Sequence, residues 1–196
     1  MRTLTTALLA AAALSAVSTA YAAETIISDD FQNSSASGWT VGEKGQIGTS
    51  DFKGNVSLRL TAGASATKII STQGYKDVSM SAAFAAIDLG THGGCVLEAS
   101  ADGNNWIKIH RIGKAEADGV KLHAGSRDVP ELDNLAKVTL RLANTDNDAE
   151  ANCFADNIVV SGTSNGGPKA AQPVVSQSSS AAPAAGAVTW DPNSVK

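Results

Sequence analysis

LEASADGNNWIKI, residues 97–109, places two strand-like runs around the turn-rich segment SADGNNW at 100–106. Asp102 and Gly103 followed by Asn104 suit the positive φ angles that tight hairpin loops demand. The stretch predicts a β-hairpin with its tip at 101–105 and Trp106 opening the returning strand. A calcium loop of the D-x-[DN]-x-[DN]-G type is the competing chemistry. It fails because Gly103 follows Asp102 directly and no Glu closes the loop at the required distance.

The same period-two pattern runs outward on both sides. VSMSAAFA sets Val78, Met80, Ala82 and Phe84 against Ser79 and Ser81. KVTLRLA sets Val138, Leu140 and Leu142 against Thr139 and Arg141, and VSLRL sets Val56, Leu58 and Leu60 against Ser57 and Arg59. Alternation of this kind marks half-buried strands. Further candidate strands are 24–31, 39–49, 66–71, 95–100, 106–111, 120–124 and 153–161, separated by SSASG, KGN, QGYKD, GTHGG and NTDND. About ten short strands without a convincing helix predict an all-β, antiparallel two-sheet sandwich over residues 23–162.

The ends read differently. MRTLTTALLAAAALSAVSTAYAA has a positive Arg2, an apolar run and the small-x-small site Ala20-Tyr21-Ala22, the pattern of a secretory signal peptide over 1–22. The run is too short and Ala-rich to span a bilayer well. The expectation is a secreted, periplasmic or cell-surface protein. Residues 163–196, rich in Gly, Ser, Ala and Pro, bury too little apolar surface to offset ordering and read as a disordered linker and tail. Its last residues, AVTWDPNSVK, resemble the start of a further segment.

Formal net charge is −4, and −5 once Arg2 is set aside. Such a chain carries no electrostatic footprint for nucleic acid or an anionic membrane. Two cysteines, Cys95 and Cys153, in an exported chain favour a disulfide over two buried thiols. Closing so long a loop contributes about 4 kcal/mol in the chain-entropy model. No Cys/His spacing suits zinc.

Candidate chemistry is sparse. If WIKIHRI pairs with VKLHA, then Lys108, His110, Lys121 and His123 share a solvated outer face. His92 stands in the Gly-rich loop THGG without an evident base or nucleophile. Asp146, Asp148 and Glu150 alternate before the last strand, where a solvated turn outweighs a cation site. No GxSxG elbow supports a Ser/His/Asp triad, and spacing singles out no carboxylate pair, so an enzyme is not expected.

Four pieces in order resemble a jelly-roll module recurrent in exported bacterial proteins, similar to carbohydrate-binding and MAM-like accessory domains. They are SDDFQNSSASGWTV, GYKDVSMSAAF, LEASADGNNWIKI and FADNIVVSG. The resemblance implies that the first and last strands lie together, bringing Asp30 near Asp156 at a structural Ca²⁺. It also implies that Trp39 and Trp106 are core anchors and that Tyr75 sits at a strand entrance. A sugar site would then rely on loops, with His92, Asn104, Asn105, Asp146 and Asp148 as ligand-binding candidates. The expected function is non-catalytic binding of a glycan or another extracellular polymer. The alternatives are an accessory domain of a larger secreted polysaccharide- or nucleic-acid-degrading enzyme, or a structural or adhesive surface protein. Oligomeric state is not legible.

Overall fold

The computed structural model describes residues 22–32, 36, 38–42, 47–52 and 55–172. The signal peptide expected over 1–22, apart from Ala22, and the tail beyond 172 lie outside the described residues.

Eleven strands appear among the described residues: β1 (Ala23–Asp29), β2 (Thr40–Val41), β3 (Ile47–Phe52), β4 (Asn55–Thr61), β5 (Ser65–Ile70), β6 (Tyr75–Ile87), β7 (Cys95–Ser100), β8 (Ile107–Ile112), β9 (His123–Asp128), β10 (Val138–Asn144) and β11 (Asn152–Ser164). One sheet runs β3-β4-β11-β6-β9, with β1 also paired to β11. The other runs β2-β5-β10-β7-β8. Every pairing is antiparallel, as the alternation predicts.

The inward sets fill the space between the sheets. Leu58 and Leu60, Val78 to Phe84 at alternate positions, and Val138, Leu140 and Leu142 are all buried. Each large side chain removed from water contributes about 1.5–3 kcal/mol, which outweighs the weak strand preference of Ala-rich segments such as SAAFAA. Cys95 of β7 and Cys153 of β11 are disulfide-bonded with Cα atoms 5.6 Å apart, so the bridge ties one sheet to the other.

One inward position is charged. Lys68 lies opposite Leu140 in the β10–β5 register and so points between the sheets. Its ammonium reaches Asp29 of β1 at 2.7 and 3.0 Å, and Trp39 Nε1 donates to the same carboxylate at 3.1 Å. Trp39 is buried, as expected of a core anchor, and Tyr75 is buried at the start of β6. Together Asp29, Lys68 and Trp39 join the sheets near the end of β1.

Three expectations are corrected. The run 39–49 is not one strand: β2 belongs to one sheet and β3 to the other. β2 is only two residues long, too short for a period to show which sheet it joins. The run 120–124 contributes only the start of β9, which begins at His123. WIKIHRI and VKLHA form no hairpin, because β8 pairs with β7 and β9 pairs with β6. The connection turns at Asp118, whose Oδ1 accepts from Val120 N at 2.8 Å, and at Gly119 with φ 61°. It carries the chain across the edge from one sheet to the other. His110 is therefore not on a solvated face. Its ring stacks on Phe84 with centroids 5.7 Å apart, and Nε2 lies 2.9 Å from His123 O.

β11 runs past Gly162 to Ser164. Beyond it, Gln172 accepts from Ser71 N at 3.0 Å and donates to Ser71 O at 2.9 Å, while Lys169 pairs with Glu24. The sandwich's own ties thus extend beyond the 162/163 boundary read from composition.

Candidate functional site

The hairpin tip is organised by Asp102. Its Oδ1 accepts from Asn104 N and Asn105 N, each at 2.8 Å, and from Ser100 Oγ at 3.0 Å. Its Oδ2 accepts from Asn105 Nδ2 at 2.7 Å. The Asn105 and Asn104 amides, then the Asn105 side chain and the Ser100 hydroxyl, hold this carboxyl well below the usual carboxylate range. Gly103 takes φ 79°, which only a residue without Cβ adopts cheaply. The segment is a turn, with Asn104 and Asn105 exposed on it.

His92, Asp146 and Asp148 lie at the opposite end of β7. The separation is roughly 20 Å for a six-residue strand. The five ligand candidates therefore do not form one site. Asp146 is buried, and its Oδ2 accepts from Gly90 N at 2.6 Å and its Oδ1 from Asp148 N at 3.0 Å. Those amides, Asp148 first, lower its pKa against the opposing effect of burial. A Cβ on Gly93 would meet Asp146 Oδ2 at 1.8 Å, so glycine there makes room for the carboxylate. Asp146 thus pins the β6–β7 loop to the β10–β11 loop. His92 is exposed. Asp148 is also exposed and lines an open cleft of about 560 Å³ with Asp88, Leu89, Gly90, Lys114, Ala117 and Glu150.

Asp30 and Asp156 do come near each other where β1 leaves β11. Asp156 is 3% exposed, on a bulge of β11 with Asn157 at φ 52°, and its Oδ1 accepts from Asn157 N at 2.7 Å. Burial raises its pKa, and the like charge of Asp30 adds to the rise. Gln32 bridges the adjoining turn to β4 by donating to Asp30 O and Val56 O, both at 3.0 Å. Two carboxylates in this setting suit a hard cation. Among the described residues no group of three or more His, Cys, Asp and Glu could hold a metal. A Ca²⁺ here would need backbone or amide oxygens and water for its remaining ligands.

A different group of residues forms an organised polar surface, and loop-based reasoning missed it. Arg141 alternates with buried Leu140 and Leu142, so it faces outward from the five-stranded sheet. Trp106, expected as a core anchor, is only half-buried. It lies against Arg141, with the guanidinium carbon 3.9 Å from the ring centroid. Reaching Arg141 takes the indole across β7, because β8 pairs with β7 and β7 with β10. Glu98 on the intervening strand accepts from Arg141 Nε at 3.1 Å and Nη2 at 2.5 Å. The guanidinium thus joins indole and carboxylate on the outer face of the sheet. The outward phase of Arg141 and the lone charge of Glu98 within CVLEAS were visible signals.

No protein-family model matches the chain, and no curated protein matches it. Solved structures share its fold. The C-terminal family 22 carbohydrate-binding module of Clostridium thermocellum Xyn10B aligns with TM-score 0.52 at 14% identity, over 72% of this chain and 95% of that one. TmCBM61, solved with β-1,4-galactotriose, aligns with TM-score 0.51 at 10% identity, over 67% and 93%. The K3 cleaved adhesin domain of Lys-gingipain from Porphyromonas gingivalis w83 aligns with TM-score 0.51 at 9% identity, over 71% and 99%. The chain thus has the jelly-roll sandwich fold of carbohydrate-binding modules.

Proposed function

We propose that this chain is a non-catalytic module that binds a glycan on the outer face of its five-stranded sheet. The observation that carries the reading is the Trp106–Arg141 stack fixed by Glu98. Sugar rings offer apolar C–H faces ringed by hydroxyls. An indole supplies a flat apolar partner, while a guanidinium and a carboxylate supply donors and acceptors at fixed positions. Held in place before binding, these groups lose little freedom when the ligand arrives. The fold is shared with a module solved on β-1,4-galactotriose, which supports the same class of ligand.

Affinity electrophoresis against a polysaccharide panel tests the proposal. Trp106→Ala, which removes the stack from an already half-exposed position, should weaken the retarding interaction about tenfold or more. Full retention by a folded Trp106→Ala protein would move the site elsewhere, with the cleft at Asp148 next in line.

Two further features belong to the proposal. Asp30 and Asp156 hold a structural Ca²⁺. In that case Ca²⁺ raises the melting temperature of the wild type and not of Asp156→Asn, and an equal rise in both removes the ion from this site. The protein works outside the cytoplasm, which the Cys95–Cys153 bond favours because such bonds persist in oxidising compartments. Among the described residues no helix is long and apolar enough to cross a membrane. N-terminal sequencing of the exported protein should begin near Ala23; a cytoplasmic protein beginning at Met1 would refute it.

A further inference from the structure

We propose that the ligand of this face is an acidic, uronate-bearing polysaccharide rather than a neutral one; the inference rests on the glycan-binding reading above. The β7–β8 ladder carries one irregularity. The β7–β8 register pairs Val96 with Arg111 and Leu97 with His110, then shifts so that Glu98 pairs with Lys108. Val96 and Glu98 both lie on the outer face, so Lys108 and Arg111 do too, although they are three residues apart on β8. Their backbones stand about 7 Å apart along the strand; Lys108 lies nearer the Trp106–Arg141 stack, and the Arg111 guanidinium reaches the other way along the face, to the Gly93 end.

The charge on this face is one-sided. Glu98 is engaged by Arg141. Lys108 and Arg111 are exposed, and neither has a carboxylate within ion-pair distance among the described residues. Glu116 is the carboxylate felt by Arg111, but its Oε2 accepts from Gly113 N at 2.9 Å. Arg111 is held in position by donating to Gly93 O at 2.6 Å. Arg127, opposite buried Met80 on β9, closes the adjoining edge by donating to Lys108 O at 2.8 Å. This excess of positive charge sits on a chain of net charge −4, so it is local to the face. A guanidinium matches a planar carboxylate in a bidentate fork, and a polymer that repeats a carboxylate beside each sugar ring meets the stack and Lys108 with one residue and Arg111 with another further along the face.

The test compares polygalacturonate with its fully methyl-esterified form, which keeps the backbone and removes the charge. The whole chain should bind the acid at least about tenfold more tightly, as expected for a charge-assisted hydrogen bond gained. The preference should fade in about 0.5 M salt. Lys108→Gln/Arg111→Gln should abolish the preference, with the melting temperature falling by no more than a few degrees for the lost Arg111–Gly93 hydrogen bond. Equal binding of the two polymers, or tighter binding of the ester, would overturn the inference and leave glycan binding standing. Absence of binding to every acidic and neutral glycan in the panel would overturn both. Duplex DNA bound as tightly as polygalacturonate would show general attraction for polyanions and overturn the inference.

Discussion

Removing the Cys95–Cys153 crosslink should lower stability by an amount the structure sets. The bridge closes a loop with a sequence separation of 58. In the chain-entropy model that loop restricts the unfolded state by about 14 cal/mol/K, or about 4 kcal/mol at 25 °C. For a domain of this size, 1 kcal/mol moves the melting temperature by roughly 2–4 °C, so a drop of roughly 8–16 °C follows. Both cysteines are fully buried, so reductant cannot reach the bond without unfolding the protein. The informative comparison is therefore wild type reduced in denaturant and refolded under reductant, which keeps both sulfurs in the core. Cys95→Ala/Cys153→Ala should melt lower still, because it also leaves unfilled volume between the sheets. Thermal unfolding followed by circular dichroism, with reversibility checked, reads all three proteins. A refolded, reduced wild type that melts within about 2 °C of the oxidised protein would refute the loop-entropy reasoning.

Asp146→Ala leaves Gly90 N and Asp148 N without their acceptor and should cost about 2 kcal/mol at neutral pH. The folded carboxyl titrates below its unfolded value, so its contribution is present above the ordinary Asp range and lost as pH falls through the folded value. Chemical denaturation from pH 7 downward should show the wild-type advantage shrinking in acid, and a gap that widens there would contradict the assignment. Asp102→Ala should loosen the 101–105 turn, seen as faster amide exchange at Asn104 and Asn105, while glycan binding persists. A selective loss of binding would make the turn a site. Asp29→Asn strands Lys68 between the sheets and should cost about 2–3 kcal/mol, whereas Lys68→Met should cost less because it replaces the charge with apolar volume. Equilibrium unfolding decides the ranking, and Lys68→Met as the worse of the two would contradict it.

The sheet interior was legible because burial leaves a local trace. Val78, Met80, Ala82 and Phe84 alternate in sequence and are buried together in the structure. The turn at Asp102 was legible for a similar reason, since its bonds reach no further than Asn105 and Ser100. Which sheet each strand joins was not legible, because β2, only two residues long, carries no period and yet belongs to a different sheet from β3. The loop candidates suffered from the same blindness to distance. Asn104–Asn105 and Asp146–Asp148 are equally polar, yet they lie at opposite ends of one strand. Asp30 and Asp156 were brought together by the expectation that the first and last strands pair, which they do.

The bulge in β8 explains why the sheet face escaped notice. Strict alternation from Trp106 sends Lys108 and His110 outward and Arg111 inward. The register shift beside Glu98 reverses the second half of that strand. His110 turns in to stack on Phe84 and meet the backbone of β9, where Gly125 leaves it room: a Cβ there would lie 2.1 Å from His110 Nδ1. Arg111 turns out to join Lys108. One irregularity thus fills the gap between the sheet edges with an imidazole and places a second cation on the outer face. An extra residue on one strand of a pair leaves no periodic signature, because both halves of IKIHRI still look like strand. What the bulge settles is the phase between the halves, and the charge of the proposed binding face depends on that phase.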